Sequence, residues 1–191
     1  QSIGFAAFNC PDLMYVAFTG DAPQIAEKAF VNNDINFTIL YKIGSSGFTN
    51  PWNGYRTVQT DDLNIELPGI VKNRTLKMLS NARVKISWGA LNGADGYDVF
   101  CKKGTSDDYE LVKNTTDTDF IDENLEIGMD YNYAVSAYIL INGVKVYDSV
   151  VEFGDITILP EAPTYVKVEQ IAKDELRISW DAVLGADGYI I

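Results

Sequence analysis

The chain has 191 residues, room for one to three small domains, and a hydrophobic content of 47%, normal for a folded protein. No run of about 18 apolar residues occurs, so no helical membrane span is expected. A formal charge of −12, from 27 acidic and 15 basic residues, repels phosphate backbones and argues against nucleic-acid binding and docking on anionic lipid.

In chain order, residues 1–67 form the first unit, read as β-rich and as a divergent or incomplete β-sandwich. PQIAEKAF, Pro23 to Phe30, is the single helix candidate, with Asp21 as a cap before the proline. INFTILYK and YRTVQTDDLNIEL read as strands, the last two of a sandwich. Between them, SSGFTNPWNGYRT places Phe48, Trp52 and Tyr55 among Gly, Ser, Asn and Pro. Two readings apply to these rings: they fold back over the sandwich edge, or they stand exposed as a sugar or protein platform. They are the candidate ligand-binding set.

Residues 68–159 alternate with period two. LKMLSN holds the first strand. ARVKISW puts Val84, Ile86 and Trp88 on one face, and GYDVFCKK does so with Tyr97, Val99 and Cys101. YELV and TDFID are short strands. DYNYAVSAYI turns Tyr131, Tyr133, Val135 and Ala137 inward, and KVYDSVVEFG is the last strand. Asn142-Gly143 between two apolar runs is a hairpin signal. Seven short strands with these turns describe a two-sheet antiparallel sandwich.

Residues 160–191 begin the same pattern again. ISWGALNGADGYDVF returns as ISWDAVLGADGYII, with Trp88 and Trp180, Tyr97 and Tyr189, and Leu67-Pro68 and Leu159-Pro160 all 92 positions apart. Leu159-Pro160-Glu161-Ala162-Pro163 is a short, semi-rigid joint, and Leu67-Pro68-Gly69 looks like a looser version of it. The chain stops within what should be the third strand of this copy. Truncation of a longer multi-domain protein explains that. The other reading is completion by another copy, whose first unit would supply the missing half and build a filament.

LEIGMDYNYAVSA resembles the signature of the fibronectin type III family: Leu125, then Tyr131 six residues on, then Tyr133, Val135 and Ala137. Trp88 and Trp180 look like the family's buried tryptophan, and Tyr97 and Tyr189 like its strand-C tyrosine. The resemblance implies an all-β fold of tandem immunoglobulin-like, fibronectin type III-like antiparallel β-sandwiches. It implies a structural core of Trp88, Tyr97, Leu125, Tyr131, Tyr133, Val135, Trp180 and Tyr189. Tyr131 would be the corner tyrosine, its hydroxyl reaching a nearby backbone group. GADGY after SW is similar to versions in bacterial surface and secreted proteins.

Catalytic signals are missing. The chain has no histidine, which removes Ser-His-Asp and Cys-His triads and histidine-dependent zinc sites. Cys10 and Cys101 fall in different units and read as small hydrophobes. Nucleotide-cradling glycine motifs are absent. Asp107-Asp108, Asp117, Asp119, Asp122 and Glu123 lack the ordered spacing of a calcium loop and read as solvated charge. No catalytic residue, metal or cofactor is therefore expected. The function expected is a non-catalytic structural or spacer module of a multi-domain extracellular or surface assembly. An adhesive or carbohydrate-binding module, or an accessory region of a secreted polysaccharide-degrading enzyme, is the alternative. Protein or glycan partners on a surface fit these readings, as does self-association through the incomplete C-terminal repeat.

Overall fold

The computed structural model describes residues 2–31, 36–79 and 82–191. The Asn-rich stretch 32–35 and the last two residues of LKMLSN, 80–81, lie outside the described residues. Every regular element among the described residues is a strand.

The first unit contains β1 (Ser2–Ile3), β2 (Phe8–Asn9), β3 (Tyr15–Phe18), β4 (Gln24–Ile25), β5 (Phe30–Val31), β6 (Thr38–Lys42) and β7 (Arg56–Thr60). Among the described residues all its ladders are parallel: β1 with β4, β2 with β5, β3 with β6, and β6 with β7. Ser2 pairs with Gln24 and Phe8 with Phe30, an offset of 22, and Tyr15 pairs with Thr38, an offset of 23. The chain thus winds in stacked coils, a short parallel solenoid. This corrects the sandwich reading of 1–67, because the strands of an antiparallel sandwich cannot pair this way. The helix expected over 23–30 is corrected too. Gln24–Ile25 and Phe30–Val31 are strands, and between them Lys28 takes φ +54, a conformation no right-handed helix contains. Its coil-equivalent Ala6 does the same at +49.

Side chains stack between coils. The rings of Phe8 and Phe30 lie 5.0 Å apart and nearly parallel. The interior holds Ala29, Phe30, Phe37, Ile39 and Trp52, with Ile3, Val16, Phe18 and Ile25 around them. The opposite face of the β3–β6–β7 sheet, Tyr15, Ala17, Leu40 and Val58, is apolar as well and packs elsewhere.

The second unit has β8 (Thr75–Leu79), β9 (Arg83–Ser87), β10 (Gly96–Lys103), β11 (Glu110–Thr115), β12 (Asp119–Asp122), β13 (Asp130–Ile141), β14 (Val144–Tyr147) and β15 (Val151–Thr157). One antiparallel sheet runs β12-β9-β8. The other runs β11-β10-β13-β14, with β15 also on β13. The expected last strand is therefore two pieces, pairing successive halves of the long β13. Asn142 and Gly143, at φ +51 and +78, make the two-residue turn between β13 and β14. Between the sheets lie Val84, Ile86, Trp88, Tyr97, Val99, Cys101, Tyr131, Tyr133, Val135 and Ile158, with Leu125 half-buried against them.

The third unit has β16 (Lys167–Ala172) and β17 (Glu175–Ser179), an antiparallel hairpin. It reproduces β8 and β9 with a shift of 92. Thr75 pairs with Ser87, and Lys167 with Ser179. The left-handed residue before the hairpin recurs as well, Asn73 at φ +53 and Tyr165 at +52.

Candidate functional site

The Trp52 loop does not form an exposed platform. Trp52 and Tyr55 bridge each other through two backbone hydrogen bonds of 2.9 and 3.0 Å, around Asn53 and Gly54 at φ +49 and +86. This tight turn aims both rings inward. Trp52 is 6% exposed, edge-on to Phe18 and 5.0 Å from Phe48, while Phe48 stacks on Tyr41 at 4.4 Å. Tyr55 donates its hydroxyl to the Phe30 carbonyl at 3.0 Å. The three candidate ligand-binding residues come together, but as packing of the solenoid interior. The physical reason is that the solenoid's interior beside Phe18 and Phe30 would otherwise face water.

A second cluster was not foreseen. Asp98 lies on the outer face of β10 and is 1% exposed. Lys145 Nζ donates to both its oxygens at 2.9 Å, Tyr147 donates at 2.6 Å, and Asn114 Nδ2 at 2.6 Å. The Asn114 amide also reaches the Tyr138 hydroxyl at 2.9 Å, and Lys145 stands over the Tyr138 ring. Burial, then the bond to Asp98, pushes the Tyr147 phenol well above its usual range. A buried carboxylate in a cleft invites a catalytic reading. Here three donors of its own unit already occupy it.

The solenoid packs on the other face of the same β13–β14 hairpin. Leu40 and Val58 pack with Val146, joined by Tyr15, Ala17, Ile139, Ile141 and Val144. The Arg56 guanidinium lies 5.0 Å over the Tyr147 ring, and Asn142 Nδ2 donates to the Gln59 carbonyl at 2.7 Å. The solenoid thus extends the core-side face of β13 and β14, and on the outer face Ala134, Ser136 and Tyr138, alternate to the core residues, are buried too. Part of this was visible in the sequence: on that face β13 carries Asn132, Ala134, Ser136 and Tyr138, its one charge, Asp130, standing at the exposed start of the strand. Nor is the 67–69 joint loose. Leu67 packs in the seam, and Gly69 N–H donates to Asp148 Oδ2 at 2.9 Å.

The core residues fall as follows. Trp88, Tyr97, Tyr131, Tyr133 and Val135 are at most 7% exposed. Trp88 meets Tyr97 edge-on at 5.4 Å. Tyr131 Oη accepts the Glu126 N–H at 3.0 Å, bonding a nearby backbone group, and Tyr97 Oη accepts that of Leu91 at 2.9 Å. In the third unit the contacts recur, with Trp180 edge-on to Tyr189 at 5.0 Å and the Val183 N–H on Tyr189 Oη at 2.8 Å. Burial does not recur. Tyr189 is 40% exposed and Trp180 half-buried, which corrects their placement in a core: no second sheet among the described residues faces them.

A concavity of about 850 Å³ lies against this hairpin and includes Ile178, Trp180 and Tyr189 in its wall. Its repeat equivalents, Ile86, Trp88 and Tyr97, are interior to the second unit. The concavity is the inner face of a sandwich sheet and does not have the character of a substrate cleft. Among the described residues no group of three His, Cys, Asp or Glu is placed to hold a metal ion. Cys10 is exposed and Cys101 buried, neither in a disulfide, and burial raises the Cys101 thiol to about 11.

The strand order defines an all-β chain whose second unit is a fibronectin type III-like, immunoglobulin-like sandwich, with the start of a repeat after it. No protein-family model matches the chain. It is similar to an amylopullulanase of Thermoanaerobacterium saccharolyticum, 30% identical over 115 residues, which are 59% of this chain and 9% of that protein. An amylopullulanase of Thermoanaerobacterium thermosulfurigenes is 29% identical over 112 residues, 58% of this chain and 6% of its own length. The chain thus spans less than a tenth of the curated relatives it matches. Among solved structures, a Fn3-like protein from Clostridium thermocellum aligns at 24% identity with a TM-score of 0.36, over 46% of this chain and 92% of that one.

Proposed function

We propose that this chain is a non-catalytic accessory module of a multi-domain extracellular protein that acts on polysaccharide, holding its neighbours at a set spacing. The observation that carries the reading is the likeness to a small part of two amylopullulanases: more than half of this chain corresponds to under a tenth of each. A shared segment of that size has the scale of one or two small domains within a large enzyme. The chain's own residues fit. It has no histidine, its most buried carboxylate is saturated by donors, and its candidate aromatic platform is interior packing. Fold alone would not separate a spacer from a binder.

Affinity electrophoresis of the 191-residue protein in gels containing amylopectin or pullulan, with a reducing-sugar assay alongside, tests the reading. Unretarded migration and no sugar release are expected. Retardation by either glucan, or turnover abolished by one substitution, would overturn it in favour of a binding module or an enzyme.

A further inference from the structure

The second and third units meet at one loop, and the internal repeat shows what is special about it. The loop at 90–94 and its equivalent at 182–186 have the same backbone. Gly93 is at φ +81 and Gly185 at +75, and each loop closes with a weak turn bond, Ala94 N–H to Leu91 O at 3.4 Å and Ala186 N–H to Val183 O at 3.3 Å. Their surroundings are opposite. A β-carbon built at Gly93 meets nothing within 4 Å, whereas one at Gly185 stands 2.7 Å from Ile127 Cγ2. The same turn faces open space in one copy and is pressed onto a neighbouring unit in the other.

The receiving segment, 124–128, is held firmly. Leu125 N–H donates to Ala82 O at 3.1 Å, Glu126 N–H to Tyr131 Oη at 3.0 Å, and Gly128 N–H to Ile158 O at 2.7 Å. Ile127 packs on the core behind it. Beside the Gly185 turn, Leu125, Ile127 and Leu159 line one cavity together with Ala182, Val183 and Leu184, so apolar side chains from both units border the seam, with Glu161 and Thr164 among them. The joint between the units is short and carries Pro160 and Pro163, which restrict the backbone.

We propose that this seam is a lock between successive sandwich units: the Gly185 turn of the following unit seats on the 124–128 segment of the preceding one and fixes the angle between them. The partner this surface fits is another unit of the same repeat. The solenoid docks instead on the β13–β14 hairpin, through Ile139, Ile141, Val144 and Val146, and leaves the Gly93 turn open. The inference deepens the spacer reading and rests on it for its purpose. Its failure is read in inter-unit orientation, whereas that reading fails on glucan binding or turnover.

Residual dipolar couplings on the whole 191-residue protein test the lock. Amides of the second and third units should fit one alignment tensor. Gly185→Val should shrink the third unit's tensor by about twofold or more, and Gly93→Val, which carries the same left-handed strain in open space, should leave the two tensors matched. Ile127→Ala, which alters the seat and not the turn, should loosen the third unit while the β16–β17 shifts stay in place. That variant decides the matter should Gly185→Val unfold the hairpin. Independent tensors in the unsubstituted protein, equal loosening by Gly93→Val and Gly185→Val, or no change with Ile127→Ala would each overturn the proposal.

Discussion

The second and third units carry one local blueprint in two environments. Both have the hairpin with the same register, the left-handed residue before it, the Trp–Tyr edge contact and the backbone N–H on the tyrosine hydroxyl. Only the second unit has a facing sheet, and there Val84, Ile86, Trp88 and Tyr97 are at most 5% exposed. Leu176, Ile178 and Tyr189, at 63%, 39% and 40%, are not. The hairpin and its turn are therefore specified locally, by sequence within about 25 residues. Burial of its apolar face, which supplies most of the free energy of folding, requires residues far along the chain.

The largest test of this contrast is truncation of the two tryptophans. Trp88→Ala should cost about 3–5 kcal/mol in urea unfolding of the second unit, as for large buried aromatics. Trp180→Ala should cost under about 1 kcal/mol, since half-buried contacts are lost without a sealed cavity. Equal costs would break the comparison. Next come the glycines. A methyl group at Gly96 would collide with the hydroxyl end of Tyr138, itself buried and bonded to Asn114, while one at Gly188 meets nothing within 4 Å. Gly96→Ala should therefore destabilise by roughly 1–3 kcal/mol, in the range for overpacking, and Gly188→Ala by under about 0.5 kcal/mol. Thermal melts of the two variants would show it, and a neutral Gly96→Ala would mean that Tyr138 moves freely.

Removing one hydroxyl from each copy gives a smaller effect. Tyr97→Phe strips the acceptor from the Leu91 N–H beside a sealed core and should cost about 1 kcal/mol. Tyr189→Phe exposes the Val183 N–H to water, so a shift of at most a few tenths of a kcal/mol is expected. Last, the buried thiol should respond to alkali. Burial raises Cys101 to about 11 from an ordinary value near 9, so the folded state favours the protonated form. That advantage is intact below about pH 9, where the unfolded thiol is also protonated, and is lost as pH rises toward 11. Buried Tyr133 and Tyr147, raised by burial and by their bonds to Asp122 and Asp98, act in the same direction. The urea midpoint should fall between pH 9 and 11, and a thiol reagent at pH 8 should label Cys10 well before Cys101. A flat midpoint or equal labelling would place Cys101 outside the core.

The sandwich was legible because its strands are long enough for alternation to show. Val84, Ile86 and Trp88 announce one face in five residues, and the 92-residue spacing announces the repeat. Strands of two residues, such as β1, β2, β4 and β5, have no alternation to read. The solenoid did leave one trace. Ile3 to Phe8 reads I-x-x-x-A-F, and Ile25 to Phe30 repeats it 22 residues later. The second occurrence, with Ala26, Glu27 and Lys28 between its apolar ends, looks instead like a helix turn, because those residues favour helices in isolation. Stacking of Phe30 on Phe8, a contact across 22 residues, overrides that local preference. Trp52 left two readings open for a related reason. Its polar neighbours suggest a solvated loop, yet Asn53 and Gly54 serve only to turn the chain so that the ring can point inward.

The buried seam between the solenoid and β13–β14 means that the covalent link through residues 61–67 is not what keeps the two units together. Asp61 and Asp62 are exposed, while Leu63, Ile65 and Leu67 are tucked into the seam and Tyr15 donates its hydroxyl to the Ile65 carbonyl at 3.2 Å. A protease that nicked the chain at Asp61–Asp62 would leave two polypeptides still joined by Leu40, Val58 and Val146, by Arg56 on Tyr147, and by Asn142 on Gln59. Gel filtration would register one particle where a denaturing gel showed two bands, and the pieces could be made separately and recombined.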